Sequence, residues 1–220
     1  MASIAIDHLL YAGPQLARLS AEFTARSGLV AGPGGRHENW GTHNALLGLG
    51  AGEYLELIAP EPGASGPWGR LFAGLPGPSL QAWCVRAGSA TDVAARLEGV
   101  GVATGRVPGG RRLPNGNVLR WELVFPRGHG FGGTLPFFID WLGSEHPATS
   151  LEARARLAGV RVEHPHPTEY ERVLRAVGAL PERLEIIEAH RLALSARFET
   201  SQAGFVLEGE LNANAYLGEA

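Results

Sequence analysis

A unit of one strand, one helix and several strands recurs three times along this 220-residue chain, and this repeat is the feature that most constrains its fold. In the first copy, Leu16, Leu19 and Phe23 fall on one face of the predicted helix. The first copy comprises a strand at 4–11, a helix at about 14–27 and strands at 42–49 and 53–59. Each unit therefore predicts a small twisted sheet with a helix on one face.

The second and third copies follow the same order. In the second, Ser89-x-x-Asp92 resembles a capping box at the start of the helix. The predicted segments of the second copy are a strand at 80–86, a helix ending near 98, and strands at 118–125 and 136–142. Those of the third are a strand at 159–163, a helix at 167–177, and strands near 184–188, 190–199 and 204–208.

Glycine and proline mark the connections between these segments. Asn115-Gly116 precedes an alternating run and predicts a hairpin turn. The predicted loops are 60–67, 74–79, 105–117 and 126–136. The Gly-rich run at 128–133 leads into a strand, not a helix, so we expect no nucleotide cofactor.

Composition excludes several classes of protein. The net charge is −3 and all 19 basic residues are arginines scattered along the chain, so we expect no nucleic-acid partner. No apolar run is long enough for a membrane span, and the N-terminus does not resemble a signal peptide. The single cysteine, Cys84, lies in an apolar run and is interpreted as a small buried hydrophobe. We therefore expect a cytoplasmic protein without a membrane partner.

Three polar residues lie inside apolar strands. They are His8 in IAIDHLLY, Glu56 in YLELIA and Asp140 in FFIDW. A carboxylate in such a place costs several kcal/mol unless it is paired, protonated or bound to a metal. Each residue also has a purely structural interpretation, as a hydrogen-bonded core histidine, an edge-strand Glu or an Asp bonded to a backbone N–H. Together, they predict one shared site that suits a hard divalent ion such as Mn, Fe, Ni, Zn or Mg.

The ordered set Asp7-His8, Tyr54-Leu55-Glu56-Leu57-Ile58 and Phe138-Ile139-Asp140-Trp141 resembles glyoxalase-like proteins of the vicinal oxygen chelate superfamily. The segments Gly34-Gly35-Arg36-His37 and Gly41-Thr42-His43-Asn44 are similar to one branch with a glyoxalase-like domain. The resemblance implies an α+β fold in which paired βαβββ modules form a cup-shaped, mostly antiparallel mixed sheet. It implies a glyoxalase-like domain at 1–150, with modules at about 1–60 and 79–146. A third βαβββ-like module at 151–220 would pack on that domain or on a partner chain.

The resemblance also implies four inward-facing metal ligands, from the first and last strands of each module. His8, Glu56 and Asp140 match three of these positions, while Ala82 occupies the expected fourth. His37 and His43 offer replacement ligands, acid/base groups or substrate contacts, and equally have an interpretation as exposed loop histidines. We take Glu56, His37 and His43 as candidate catalytic residues. His129 lies in a loop that we expect to close over the pocket as a lid.

Two functions remain open from the sequence. The first is a divalent-metal-dependent lyase, isomerase or dioxygenase acting on a small molecule with adjacent oxygens. The second is a non-catalytic protein that binds or sequesters an apolar or aromatic small molecule. The unpaired third module leads us to expect a homodimer.

Overall fold

The computed structural model describes residues 5–63, 65–112, 118–213 and 217. The first module follows the predicted order and adds one strand in the segment left without an element at 28–41. Its elements are β1 (Ala5–Ala12), α1 (Leu16–Ser27), β2 (Gly32–His37), β3 (Thr42–Gly50) and β4 (Glu53–Pro60). Helix α1 buries Leu19 and Phe23 and ends at Gly28, whose φ of 72° suits a residue without a side chain.

A short helix, α2 (Pro67–Ala73), connects the first module to the second. The elements of the second module are β5 (Ser79–Arg86), α3 (Ala90–Gly99), β6 (Ala103–Arg112), β7 (Val118–Arg127) and β8 (Phe137–Asp140). The predicted cap of α3 is confirmed, because the Ser89 hydroxyl accepts a hydrogen bond from the Asp92 N–H at 3.2 Å.

The strands of both modules form one eight-stranded sheet in the order β2-β3-β4-β1-β5-β8-β7-β6. Strands β1 and β5 pair antiparallel at its centre, while each pairs in parallel with the last strand of its own module. The other neighbours in the sheet are antiparallel. This arrangement confirms the predicted α+β fold with a cup-shaped, mostly antiparallel mixed sheet.

Alternation along the central strands separates the two faces of this sheet. Leu10, Ala82 and Phe137 belong to the inner cluster of the cup, which helix α2 closes at one side. Their sequence neighbours Leu9, Trp83 and Phe138 belong to the outer core, which helices α1 and α3 cover.

The C-terminal segment contains the same order of elements, in a separate four-stranded sheet with the order β10-β9-β11-β12. These elements are β9 (Arg156–His164), α4 (Pro167–Val177), β10 (Leu184–Glu188), β11 (Ala193–Glu199) and β12 (Gly204–Glu210). Its strand order differs from that of the first two modules, because β9 pairs in parallel with β10 instead of with the last strand.

This third sheet packs on the outer face of the first, and both share one core. The carbonyl oxygen of Thr134 accepts hydrogen bonds from Trp83 Nε1 at 2.7 Å and from the Tyr170 hydroxyl at 2.5 Å. Two buried side chains, one from the eight-stranded sheet and one from helix α4, are thus held on the same backbone atom.

Two strands were missed because their sequences look like loops. Strands β2 (GPGGRH) and β6 (ATGRVPGGRR) are rich in glycine, proline and arginine, and both are edge strands, where such residues are tolerated. The predicted loop at 105–117 is therefore wrong up to Arg112, and the predicted Asn115-Gly116 turn lies outside the described residues. Of the helices in the described part of the chain, none is long and apolar enough to cross a membrane.

Substituting Gly209 by alanine should loosen the contact between β12 and β5. A Cβ atom at this position would lie 2.0 Å from the carbonyl oxygen of Leu80, so the two backbones would have to separate. We expect the free energy of unfolding to fall by about 1–3 kcal/mol, the usual cost of overpacking. Urea denaturation measures this change. Gly99→Ala is the control, because a Cβ there meets nothing within 4 Å, and an equal loss in both variants would contradict the close contact.

Candidate functional site

The site begins at an irregularity in β1. The register of β1 against β5 shifts between Ile6 and His8, which marks a β-bulge. Such a bulge re-aims side chains, so that the consecutive residues Asp7 and His8 reach one another. Both are buried, with exposed fractions of 0% and 4%.

Asp7 is the centre of a hydrogen-bond network at this bulge. Its Oδ1 accepts a hydrogen bond from His8 Nδ1 at 2.7 Å. Its Oδ2 accepts from Arg86 Nε at 2.8 Å, from His146 Nε2 at 2.9 Å and from Trp141 Nε1 at 3.0 Å. Burial alone would raise the pKa of Asp7, but the hydrogen bonds that His146 and His8 donate to it outweigh burial and hold the pKa well below its usual 3.8.

This network determines which nitrogen of each histidine carries the proton. Asp7 is ionised and can only accept, so Nδ1 of His8 must be the donor, and Nε2 of the neutral ring is left as an acceptor. His146 has the opposite tautomer: its Nδ1 accepts from the Ala148 N–H at 3.1 Å, so its Nε2 carries the proton and donates to Asp7. Arg86 Nη2, 2.9 Å from that Nε2, is therefore in contact with it without a hydrogen bond. The guanidinium of Arg86 is held by Asp7 and by the carbonyl oxygen of Gly52 at 2.5 Å.

The second part of the site is Glu56, on the parallel neighbour β4. Its Oε1 accepts a hydrogen bond from Asn44 Nδ2 at 2.6 Å. Its Oε2 faces His8 Nε2 at 3.8 Å, and His37 Nε2 lies 3.9 Å from Oε1. Both separations exceed hydrogen-bond length, so the imidazoles surround the carboxylate without binding it directly.

The side chains of His8, His37, Asn44 and Glu56 line a pocket inside the cup, which has an inner space of about 70 Å³. The pocket continues into a groove of about 830 Å³ and shares His37, Trp40 and Trp121 with it. Among the described residues, six aromatic side chains line the inner pocket: Trp40, Tyr54, Trp68, Trp121, Phe137 and Trp141. Several are in ring contact, including Trp40 with Trp68 at 4.3 Å and His8 with Tyr54 at 4.6 Å between centroids.

The structure brings His8, Glu56 and His37 together, but it does not bring His43 or Asp140 to them. His43 faces away from the pocket and lies 3.5 Å from Glu61, while the next residue, Asn44, points inward. The carboxylate of Asp140 accepts hydrogen bonds from the backbone N–H groups of Ala90 and Leu142 at 3.1 and 2.9 Å. Asp140 therefore holds the start of helix α3.

The predicted lid also lies elsewhere. His129 does not line the aromatic pocket, and the neighbouring Phe131 packs against His164 and Tyr170 of the third module. The loop that contains His129 is thus attached to the C-terminal part of the chain.

Sequence reasoning missed Asp7 and Asn44 as residues of the site. Asp7 stands beside His8 in the sequence, but regular alternation places the two on opposite faces and only the bulge reunites them. The signal for the pocket walls was the tryptophan content, since four of the five tryptophans line the pocket.

The side chains in the cup fit a four-ligand metal site poorly. The first module retains His8 and Glu56 at the inward positions of its first and last strands. The corresponding inward positions of β5 and β8 hold Ala82, Cys84, Phe137 and Ile139. None of these offers the oxygen or nitrogen ligand that a hard divalent ion prefers, so half of the ligand set is missing.

One group of three potential ligands does exist among the described residues: Asp7, His8 and Cys84 have ligand atoms within 4.8 Å of one another. Both oxygens of Asp7 are already occupied by donors. Burial, together with the charges of Asp7 and Glu56, raises the pKa of the Cys84 thiol well above its usual 9.0, so the sulfur stays protonated. This group is therefore a hydrogen-bonded core and does not suit a metal.

Comparison with known proteins identifies the family. The model of the family described as "Glyoxalase-like domain" matches residues 6–178. The chain belongs to this family of glyoxalase-like proteins, within the vicinal oxygen chelate superfamily. The match covers both cup modules and extends through helix α4 of the third. Among curated proteins, no sequence matches the chain.

Two solved structures have folds similar to that of this chain, with TM-scores above 0.5. A hypothetical protein from Staphylococcus aureus is 16% identical, with a TM-score of 0.62, and the match covers 94% of this chain and 86% of that one. A mutant of 4-hydroxymandelate synthase from Streptomyces coelicolor is also 16% identical, with a TM-score of 0.56 and coverage of 96% and 64%. Methylmalonyl-CoA epimerase from Mycobacterium tuberculosis is 21% identical over 61% of this chain and 86% of that one, with a TM-score of 0.46. For the first two structures, the likeness at these identities extends to the fold alone.

Proposed function

We propose that this glyoxalase-like protein binds a small organic molecule in the aromatic pocket and that His8 removes a proton from it, as in an isomerase or lyase. One observation carries the proposal: Asp7 holds the proton on Nδ1 of His8, and the accepting Nε2 faces the pocket next to Glu56. In an imidazole held in this way, the unprotonated nitrogen points into the pocket, where it can act as a general base.

In the proposed reaction, a C–H proton of the ligand moves to Nε2 of His8, and the electron pair of that bond stays on the ligand. The imidazolium that forms lies between two carboxylates, Asp7 at 2.7 Å and Glu56 at 3.8 Å. Their charges stabilise it in a pocket from which aromatic rings displace water. Return of the proton to another carbon completes an isomerisation, whereas loss of a leaving group completes an elimination.

A ligand oxygen has a candidate partner in this pocket. The indole N–H of Trp68, a lining residue, is buried and has no acceptor among the described residues. A buried donor without an acceptor is unfavourable, so an oxygen of the ligand that accepts this hydrogen bond would be favoured. An oxygen next to the acidic C–H would also take up the negative charge that proton removal creates.

Hydrogen–deuterium exchange tests the proposal without knowledge of the full reaction. Small carbonyl compounds with acidic C–H groups, both neutral and charged, would be incubated with the protein in D₂O and followed by NMR. We expect deuterium to enter one C–H position of any compound that binds well in the pocket. Compounds that quench tryptophan fluorescence but show no exchange would contradict proton transfer and favour a non-catalytic binding protein.

The incomplete ligand set leads to a second expectation. After loading with Mn, Fe, Ni or Zn and desalting, the purified protein should retain well below one ion per chain, because the described residues of the second module that line the pocket include no hard ligand. Elemental mass spectrometry measures the retained metal. Retention of one ion per chain by the wild type, abolished in both His8→Ala and Glu56→Gln, would show that module one alone forms a metal centre.

A further inference from the structure

The carboxylate of Glu56 is nine-tenths buried, and only one of its two oxygens accepts a hydrogen bond from the described residues. Its side chain is 8% exposed, and Oε1 is bound by Asn44. Its Oε2 has no hydrogen-bond donor among the described residues, since His8 Nε2 at 3.8 Å lies beyond hydrogen-bond distance. An ionised carboxylate in such surroundings is unfavourable unless a positive charge or a donor approaches it.

The protein provides little positive charge for this purpose. The chain contains no lysine, and none of its arginines is among the described residues that line the inner pocket. Arg86, on the central strand β5, is already held by Asp7. The groove outside the pocket is lined by Arg36, Glu38 and Glu145, and Arg36 pairs with Glu61. Among the described residues, the titratable lining groups besides Glu56 are the imidazoles of His8 and His37 and the phenol of Tyr54.

The walls of the pocket complement a cation as well. Six aromatic side chains of the described residues line the inner space, and the faces of such rings carry partial negative charge that attracts cations. Trp40 and Trp68 are stacked on one side, and the Trp121 and Trp141 rings lie 5.8 Å apart by their centroids. An inner space of about 70 Å³ suits a compact head group, while the larger groove has room for the rest of a molecule.

We infer that the ligand of this pocket is an organic cation, such as a methylated ammonium compound, whose positive head lies between the aromatic rings and Oε2 of Glu56. This inference names the ligand class for the proposed function and rests on it only in placing the ligand in the same pocket. In this arrangement Glu56 contacts the cation and also lies beside the imidazolium of His8, while His8 alone takes up the proton.

Matched probes of equal shape and different charge test this inference. Choline, its neutral isostere 3,3-dimethylbutan-1-ol and the anion 3,3-dimethylbutanoate would be titrated against the full chain. The readout is tryptophan fluorescence, since four of the five tryptophans line the pocket. We expect choline to bind at least tenfold more tightly than the alcohol, and the anion to bind least.

Two variants locate the effect. Glu56→Gln keeps an acceptor for Asn44 but loses the charge, so it should reduce the preference for choline to less than threefold and leave the alcohol unchanged. Glu122→Gln on β7 is the matched control, because that carboxylate is bound by Arg106 outside the pocket, and its preference should stay at the wild-type value. Equal binding of choline and the alcohol, tighter binding of the anion, or no binding of any probe would overturn the inference. Proton transfer by His8 would still stand if deuterium exchange occurred with neutral compounds.

Discussion

Replacing His8 by asparagine is expected to lower the rate of ligand deuterium exchange by about 10²–10⁴-fold, the usual contribution of a general base. The asparagine amide can still donate a hydrogen bond to Asp7, so the network around Asp7 is kept. The basic Nε2 atom is lost, and no other imidazole takes its position, since His37 lies beside the other oxygen of Glu56. The rate of C–H exchange in D₂O, followed by NMR at saturating ligand, measures the effect.

His43→Asn is the control for this variant. His43 also lies on the eight-stranded sheet, but its side chain contacts Glu61 outside the pocket. Its exchange rate should remain within about twofold of the wild type, because a side chain outside the pocket does not contact the ligand. Equal rates in His8→Asn and the wild type would remove His8 from the mechanism, whereas an equal loss in both variants would indicate a structural effect.

The second large effect concerns stability. The ionised carboxylate of Asp7 accepts hydrogen bonds from four donors. In Asp7→Asn, the amide nitrogen replaces one of the two oxygens and faces N–H groups to which it cannot bond. Arg86 also loses the negative charge that pairs with it. We expect the free energy of unfolding to fall by about 3 kcal/mol. This value is at the lower end of the loss usually found when one partner of a buried ion pair is removed, because the side chain of Arg86 is partly exposed. In a chain of this size, such a loss lowers Tm by about 6–12 °C in a thermal melt.

The effect of Asp7→Asn should also depend on pH. The pKa of Asp7 in the folded protein lies well below its usual 3.8, so the unfolded chain takes up the proton first as pH falls. The wild type therefore has the full contribution of Asp7 above about pH 4 and loses it on further acidification. The difference in Tm between wild type and variant should shrink from pH 6 to pH 3. The exposed Asp92→Asn serves as control, and a constant difference for Asp7→Asn would contradict the assigned ionisation.

The order of elements in the fold could be predicted from hydrophobic periodicity, because the helices each bury one stripe and the central strands are apolar. Strands β2 and β6 could not be, since their Gly-, Pro- and Arg-rich sequences form strands only because neighbouring β3 and β7 provide a template. Along the chain, the third module has the same order of helix and strands as the first two. The order of its strands within the sheet differs, and local sequence does not encode that order.

Candidate site residues could be recognised from the sequence where a polar residue is isolated in an apolar strand, as for His8 and Glu56, and both line the pocket. It was not predictable in β8, where Phe137, Phe138 and Ile139 are all buried, so alternation alone does not tell which face lines the cup. Phe137 and Ile139 line the cup. Asp140 therefore lies on the opposite face of β8, where its carboxylate accepts a hydrogen bond from the start of helix α3. His43 was a candidate because histidine can serve as a ligand or as an acid/base group, whereas the residue of β3 that lines the pocket is its neighbour Asn44. One residue of register decides which of the two faces inward.

The most direct test of the central claim is the protonation of the His8 ring. Long-range ¹H–¹⁵N correlation NMR of the ¹⁵N-labelled protein, assigned with the His8→Asn variant, distinguishes the two tautomers of each neutral histidine. The account predicts a proton on Nδ1 and a bare Nε2 for His8, and the reverse for His146 in the same spectrum. A neutral His8 with its proton on Nε2 would contradict it, because the nitrogen that faces the pocket would then have no lone pair to accept a proton from the ligand.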